Sequence, residues 1–179
     1  MKKIAVISDT HGSDLINKFM GYLEENKDIK DVMHLGDYYE DADVLVDAGY
    51  LVTRVPGVYS AYYQNLYVEN RIYMEIYDWR FFLTHTKDSH SNDGAYDLKP
   101  EQILENKTCD IFLYGHTHKP EIKKVDDGLI LLNPGHLKSE MDRGFAPSFA
   151  VLEIEKASVD MKILNLSGGC VFQDRLIKS

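Results

Sequence analysis

The sequence predicts an α/β fold of two packed, mixed β-sheets flanked by helices, in one domain that covers residues 1–179. Its first third alternates β-branched apolar runs with amphipathic helical segments, which is typical of a parallel βαβαβ unit. The remainder contains strand-like runs separated by turn sequences, which is typical of antiparallel hairpins. A chain of this length buries roughly 70 % of the surface that its unfolded form exposes, as a single domain does.

Three strands and two helices are predicted in the N-terminal third. The strands are apolar runs with little alternation, as expected when both faces of a sheet are covered; they span 3–8, 31–35 and 51–55. After the first strand, Ser13 can cap a helix in which Leu15 and Phe19 recur at helical spacing. A shorter helix is expected over residues 40–48, with Gly49 at its end.

The rest of the chain is predicted to contain mainly strands. The principal ones span 71–77, 80–84 and 111–114, and turns are expected at 70–71, 78–79, 126–128 and 155–158. Pro100 is expected to open a helix that runs to about Asn106. The change from alternating strands and helices to consecutive strands is what indicates a second sheet.

Composition favours a cytoplasmic protein with a small-molecule partner. The formal net charge is −9, and the basic residues form no stripe, so neither a nucleic acid nor a membrane is expected as a partner. The apolar stretch at the N-terminus stops at Asp9, which is too short for a signal peptide or a transmembrane helix. Cys109 and Cys170 form no C-x-x-C pair, and nothing calls for an oxidising compartment.

Polar side chains follow four of the predicted strands, at the point where each strand ends. They occur in Asp9-Thr10-His11, Gly36-Asp37, the isolated His85, and Gly115-His116-Thr117-His118. Carboxylates and imidazoles gathered at strand ends have the ligand character that Mn²⁺, Fe and Zn²⁺ need. The sequence therefore predicts a metal site.

The spacing of these residues is compatible with two cations. Asp9 and His11 are two residues apart, as are His116 and His118, so both members of each pair can point into one cavity. Asp37 follows a glycine that permits a sharp turn, and its two oxygens could bridge two ions. Two cations about 3.5–4 Å apart can activate a hydroxide and stabilise an in-line displacement at phosphorus.

These motifs, in this order, resemble those of the calcineurin-like metallophosphoesterase superfamily, in particular its small bacterial and archaeal phosphodiesterases. The resemblance covers nearly the whole chain and includes Asn133-Pro134-Gly135 after the last histidine motif. It implies the four-layer sandwich of that superfamily. It also implies hydrolysis of a phosphoester, most specifically a small-molecule phosphodiester, by a metal-activated hydroxide.

The resemblance implies two unequal metal sites. The first would be held by Asp9, His11, Asp37 and His118. The second would be held by Asp37, His85 and His116, and its usual fourth ligand, an asparagine, is replaced by Val58. Two divalent ions are expected, with Mn²⁺ favoured and Fe, Zn²⁺ or Ni²⁺ as alternatives, and the second site is expected to be the weaker.

Other polar residues could compensate for this change. His136, directly after the Asn-Pro-Gly motif, and His90, in the polar loop after His85, are the candidates for the general acid or a phosphate contact. Tyr59 follows Val58 and is a further candidate. His34 is expected to be a hydrogen-bonded core residue rather than a ligand, since on a strand its side chain faces away from that of Asp37.

Two alternatives remain open from the sequence. The tyrosines around Val58 and Asp37 either pack in the fold or form an aromatic wall for an aryl leaving group or nucleobase; they are Tyr38, Tyr39, Tyr59, Tyr62, Tyr63 and Tyr67. The chain is either a phosphoesterase or a metal-binding scaffold for protein interactions with weak or no catalysis. A nuclease is disfavoured by the charge, and a homo-oligomer is left open.

Overall fold

Eleven strands and three α-helices form the regular structure of residues 1–126 and 128–178, the part of the chain that the computed structural model describes. The strands are β1 Lys2–Ile7, β2 Asp31–His34, β3 Leu51–Arg54, β4 Arg71–Ile76, β5 Trp79–Thr84, β6 Ile111–Leu113, β7 Glu121–Asp126, β8 Leu129–Asn133, β9 Ser148–Ile154, β10 Ser158–Asn165 and β11 Cys170–Ile177. The helices are α1 Leu15–Glu25, α2 Asp43–Asp47 and α3 Pro100–Glu105, with 3₁₀ turns at Tyr39–Ala42 and Ala61–Gln64. Within the turn predicted at 126–128, Asp127 lies outside the described residues.

The strands form two mixed sheets, as predicted. Sheet A has the order β11-β10-β9-β1-β2-β3, and its β1, β2 and β3 are parallel. Sheet B has the order β4-β5-β6-β8-β7, and its β5, β6 and β8 are parallel. The predicted parallel half therefore lies in sheet A, while the later strands complete both sheets.

The hydrophobic core lies between the two sheets and continues on their outer faces. Val6 and Met33 of sheet A and Phe81 and Leu113 of sheet B belong to the central cluster. On the outer side of sheet A, α1 buries residues that include Phe19. Residues of α3 pack in the same way against sheet B, which gives the order helix, sheet, sheet, helix. None of the helices in the described residues combines the length and apolar character needed to cross a membrane.

Three local predictions need correction. The helix expected over 40–48 is split into a 3₁₀ turn and α2, because Arg54 donates to the carbonyl of Tyr39 at 3.0 Å and engages an acceptor that a continuous helix would use. The turns expected at 70–71 and 78–79 are each one residue too long, since Arg71 begins β4, as the predicted strand 71–77 has it, and Trp79 begins β5.

The carboxyl ends of the parallel strands from both sheets meet at one edge of the sandwich. After β1, the amide of Asp9 donates to the carbonyl of Gly36 beyond β2, at 3.0 Å. In sheet B, the amide of Gly115 donates to the carbonyl of His85 at 3.1 Å. The loops that carry the predicted metal ligands are therefore brought together by the sheets.

Candidate metal centre

Four of the predicted ligands form one compact group. Asp9, His11, Asp37 and His118 each contribute a ligand atom, and these atoms lie within 4.8 Å of one another. Nε2 of His11 is 2.7 Å from Oδ2 of Asp37 and 3.3 Å from Nε2 of His118. Nε2 of His118 is in turn 3.2 Å from Oδ1 of Asp9. This is the set that the family resemblance implies for the first cation.

The other two predicted ligands lie on the opposite side of Asp37. Nε2 of His85 is 3.1 Å from Oδ1 of Asp37, and Nδ1 of His116 is 3.3 Å from that nitrogen of His85. Asp37 thus directs one oxygen to each group. A carboxylate shared in this way can bridge two cations.

Asp9 is fixed by its neighbours before any cation is considered. It is fully buried, and its carboxylate accepts hydrogen bonds from the hydroxyl of Ser8 at 2.7 Å and from the amide of His116 at 3.0 Å. This approach requires Gly115, since a Cβ there would lie 1.9 Å from Oγ of Ser8. Gly57 has the same role beside Asp37, where a Cβ would lie 2.5 Å from Oδ1.

The backbone is strained at most of these positions. Nine non-glycine residues in the described part of the chain have a left-handed φ, and they include five of the six predicted ligands: Asp9, His11, Asp37, His116 and His118. Such a conformation costs of the order of 1–3 kcal/mol per residue, and it persists where the surrounding structure imposes it. The concentration of strain here indicates a site assembled for a purpose other than stability.

Electrostatics favour an ionised Asp37 among the histidines. Burial would raise the pKa of Asp37, but the hydrogen bonds to His11 and His85 outweigh it and hold the pKa far below its ordinary value. Burial lowers the pKa of His85, and the neighbouring carboxylates of Asp37 and Asp9 more than reverse this, so the pKa is raised. Burial and the neighbouring His85 lower the pKa of His116.

The donor set fits divalent cations of the Mn²⁺, Fe and Zn²⁺ type. Two carboxylates and four imidazoles converge, with ring nitrogens of different histidines only 3.3 Å apart. Side chains brought this close offer lone pairs to a common centre, which is the arrangement that such ions bind.

His34 lies outside this group. It is fully buried, with Nε2 at 3.1 Å from Oγ1 of Thr10, and Nδ1 accepts from the amide of Gly36. Burial lowers the pKa of His34 to about 4. Its contacts are those of a neutral core histidine that supports the loops on either side, as the sequence predicts.

Val58 occupies the position at which the family resemblance places an asparagine. Its side chain is 1 % exposed and carries no donor atom for a cation. Its carbonyl accepts a hydrogen bond from the side chain of Asn92 at 2.9 Å. Asn92 therefore ties the loop after β5 to this segment.

The two histidines predicted as general acids lie beside the cavity rather than in its lining. His136 is fully buried; its Nε2 is 3.0 Å from the carbonyl of Phe145, and its Nδ1 accepts from the amide of Lys138. The ring of His90 packs edge-on against Tyr59, with 5.3 Å between centroids. Nδ1 of His90 accepts from a backbone amide, and within the described residues no hydrogen bond engages its Nε2.

A cavity of about 460 Å³ opens over the candidate ligands. Four of the candidate ligands reach it, together with three tyrosines and with two positively charged side chains, those of a lysine and an arginine, that were not predicted from the sequence. Its lining is His11, Asp37, Tyr38, Glu40, Tyr59, Ser60, Ala61, Tyr62, His116, His118, Lys138 and Arg143. The tyrosines divide into two groups. Tyr38, Tyr59 and Tyr62 face this space. Tyr63 is not part of the lining, and its hydroxyl donates a hydrogen bond of 2.6 Å to Asp93.

Besides Glu40 and Ala61 in the lining, three charged residues of the site were missed from the sequence. Lys138 and Arg143 line the cavity, and Asp142 places Oδ2 2.5 Å from Nδ1 of His118. All three follow the Asn-Pro-Gly motif in a segment without periodicity. The only available signal was the concentration of charge close behind that motif.

Comparisons with known proteins agree with this geometry. The profile of the calcineurin-like phosphoesterase superfamily domain matches residues 1–157. A phosphodiesterase of Methanocaldococcus jannaschii is 25 % identical over 86 % of this chain and 94 % of its own length. A probable metallophosphoesterase of Methanothermobacter thermautotrophicus is 29 % identical over 90 % and 91 % of the two chains.

One similar protein of known structure is not named as a phosphoesterase. Vps29 of Entamoeba histolytica, complexed with Zn²⁺, is 25 % identical, covers 98 % of each chain and superposes with a TM-score of 0.71. The fold, the residues at the strand ends and the family match all indicate the same superfamily. The chain belongs to the calcineurin-like phosphoesterase superfamily.

Proposed function

We propose that this protein is a metal-dependent phosphoesterase that hydrolyses a phosphodiester of a small molecule at a two-cation site. The observation that carries the proposal is the placement of Asp37, whose two oxygens face two separate groups of histidines. The phosphodiesterase named among the relatives supports the choice of reaction. Divalent cations, with Mn²⁺ as our proposed ion, would supply charge neutralisation and activation of the attacking water.

The cavity supplies groups that could orient a phosphate. Lys138 and Arg143 bring two positive charges into a lining that also contains the candidate ligands. Arg143 is held by its own hydrogen bonds to the carbonyls of His116 and Thr117, at 3.2 and 3.3 Å. A guanidinium fixed in this way can present its remaining N–H groups to phosphate oxygens.

The general acid is proposed among the histidines beside the cavity. Both ring nitrogens of His136 are engaged by the backbone, whereas His90 packs against the cavity residue Tyr59 and keeps Nε2 available. These contacts favour His90. A drop in kcat/KM for His90→Ala, with a smaller one for His136→Ala, would support this order; no effect of either would remove both from the proposal.

The tyrosine-lined side of the cavity favours substrates with an aromatic group. Tyr38, Tyr59 and Tyr62 expose ring surface next to the candidate ligands. Base or aryl stacking on such a ring is worth about 1–3 kcal/mol. Tyr59→Ala should therefore slow hydrolysis of an aryl phosphodiester more than that of an alkyl one. Equal effects on both would argue against the aromatic wall.

The function is tested by elemental analysis together with hydrolysis of bis-(p-nitrophenyl) phosphate, with and without added Mn²⁺. The wild-type chain should bind cations and turn over. Asp37→Asn should lower kcat/KM by more than about 100-fold. Substituting a residue that only hydrogen-bonds to a metal ligand already lowers metal affinity or activity about 10–100-fold, and Asp37 is itself a candidate ligand. Asp47→Asn makes the same change of charge on the exposed end of α2 and should have no effect.

The alternative function is a metal-binding scaffold for protein interactions. It is favoured by Val58 at the position of an expected ligand and by the likeness to Vps29, a vacuolar protein sorting protein by name. Tight cation binding with no turnover of any phosphodiester or phosphomonoester would move the assignment to this alternative.

A further inference from the structure

His118 presents its two ring nitrogens to two different carboxylates. Nε2 faces the candidate metal group, 3.2 Å from Oδ1 of Asp9, and Nδ1 lies 2.5 Å from Oδ2 of Asp142. An ionised carboxylate can only accept a hydrogen bond, and the 2.5 Å contact with Asp142 is shorter than the 3.2 Å contact with Asp9, so Nδ1 is the nitrogen that carries the proton when the ring is neutral. A neutral ring then has its lone pair on Nε2, where a cation would bind.

We propose that Asp142 is a positioning residue that selects this tautomer and this orientation of His118. The inference rests on the proposed function only in taking His118 as a cation ligand. Asp142 does not line the cavity and is not in the group of candidate ligands, so it acts through His118 and not on the substrate. A carboxylate on the far nitrogen also makes the ring a better donor to a cation.

Asp142 is held in place by a tight turn. Its amide and that of Phe145 exchange hydrogen bonds with each other's carbonyls, both at 2.9 Å, around Arg143 and Gly144. Both central residues have a left-handed φ, of 49° and 85°, which is the geometry of the tightest hairpin turns. The other oxygen of Asp142 is 3.2 Å from Nζ of Lys138, and Nε of Arg143 lies 3.9 Å from the oxygen that faces His118.

The same turn is fastened to the loop that carries His118. Arg143 donates to the carbonyls of His116 and Thr117, directly before that histidine. The carbonyl of Phe145 lies 3.0 Å from Nε2 of His136, and the ring of His136 packs 5.6 Å from that of His118. These contacts fix the position of the Asp142 backbone relative to His118. An isolated ion pair on the surface would form without such contacts.

A purely structural role makes a different prediction. If Asp142 served only to pair with Lys138 and stabilise the turn, its loss would lower stability without changing the protonation pattern of His118. The tautomer of His118 therefore separates the two roles. It can be measured in the metal-free protein, so this measurement does not depend on catalysis.

The first experiment is a long-range ¹⁵N–¹H spectrum of the histidine rings, recorded on metal-free protein at a pH where the rings are neutral. Wild type should show His118 protonated on Nδ1, and Asp142→Ala should shift it towards protonation on Nε2. Lys138→Met removes the cation beside the other oxygen of Asp142 and should leave the tautomer of His118 unchanged. Glu140→Gln is the matched control, because this carboxylate is 79 % exposed and pairs only with Lys18 among the described contacts.

The second experiment is a calorimetric titration with Mn²⁺ alone. Asp142→Ala should weaken the tighter site 10–100-fold, the range typical of outer partners of metal-bound histidines, and Asp142→Asn should fall in between. Glu140→Gln should leave the affinity unchanged. Since asparagine preserves the size of the side chain, Asp142→Asn also tests the proposal if the alanine variant folds poorly.

The outcomes are distinct. An unchanged tautomer and an unchanged Mn²⁺ affinity in Asp142→Ala would overturn the inference and leave Asp142 as a partner of Lys138. If Mn²⁺ binding depends on Asp142 while no phosphoester is hydrolysed, the proposed function fails and the inference stands. A wild-type chain that binds no divalent cation would overturn both.

Discussion

Nδ1 of His85 lies 2.8 Å from the carbonyl oxygen of Leu35, so a histidine at the end of β5 is fastened to the segment after β2 in the other sheet. The carbonyl can only accept, which places the proton on Nδ1 and leaves Nε2 to face Asp37. The ring occupies space that exists because Gly36 has no side chain. A Cβ at this glycine would lie 2.6 Å from Nδ1.

Gly36→Ala is expected to displace His85 and to weaken the second cation site selectively. Both Gly36 and Gly49 have a left-handed φ, of 101° and 89°, so alanine at either position should cost about 1–2 kcal/mol of stability. Nothing lies within 4 Å of a Cβ at Gly49, which makes Gly49→Ala the matched control. Chemical denaturation and Mn²⁺ titration measure the two effects. Equal cation binding in both variants would contradict the assigned role of Gly36.

Val58→Asn is expected to strengthen the second cation site at the cost of stability in the metal-free protein. The side chain is buried, so an amide without a partner there should cost about 1–3 kcal/mol. Added Mn²⁺ should recover that loss and raise the melting temperature more than in wild type. Val58→Thr, which is nearly the same size, should show the loss without the recovery. If Mn²⁺ affinity does not change in Val58→Asn, another group already fills this position.

The contribution of His34 to the stability of the fold should fall between pH 6.5 and pH 4. Burial lowers the pKa of His34 to about 4, whereas an unfolded histidine has a pKa of about 6.5. In this window the unfolded chain binds a proton that the folded chain does not, so unfolding is favoured as the pH falls. Between pH 7 and pH 5 the contribution is about 2 kcal/mol.

His34→Gln removes this titration, so its free energy of unfolding should change less between the two pH values than that of wild type, by about the same 2 kcal/mol. Denaturation curves at pH 7 and pH 5 measure the difference. Identical pH dependence of the two proteins would show that His34 is not the group responsible.

Arg71, the first residue of β4, is expected to be highly sensitive to substitution. Its guanidinium is buried and donates to Asp93 at 2.8 Å, and Asp93 in turn accepts from Tyr63 at 2.6 Å. Arg71→Met would leave a half-buried carboxylate without its cation and should lower stability by about 3 kcal/mol. Tyr63→Phe removes one neutral donor and should cost about 1 kcal/mol. Similar losses for the two variants in urea denaturation would contradict the ion pair as the main contribution.

The sequence predicted the six candidate ligands and the two-sheet fold because both depend on local patterns. Apolar runs mark the strands, and a polar residue directly after such a run lies at a strand end wherever the strand is placed. Asp37 and His85 could therefore be assigned to one site without knowing that they come from different sheets.

What escaped prediction depends on contacts between distant segments. Arg71 was placed both in the turn at 70–71 and in the strand that follows, and its contact with Asp93, 22 residues away in a polar loop, was not foreseen. Asp142 reaches His118 across 24 residues through a turn that no periodicity marks. The helix over 40–48 is interrupted by Arg54, a residue of the following strand. Each of these contacts joins residues that are 15 to 24 positions apart, which local patterns do not reveal.

The left-handed backbone at five candidate ligands means that this edge of the sandwich has a backbone conformation of higher energy than the same residues would adopt without the surrounding structure. Glycine at the half-exposed His11 or His116 would relax φ angles of 51° and 67° and remove a ligand in the same step. Selection for thermal robustness alone would therefore tend to erase the centre. The residues found there lower the stability of the folded state, and their presence despite that cost indicates that the centre has a function.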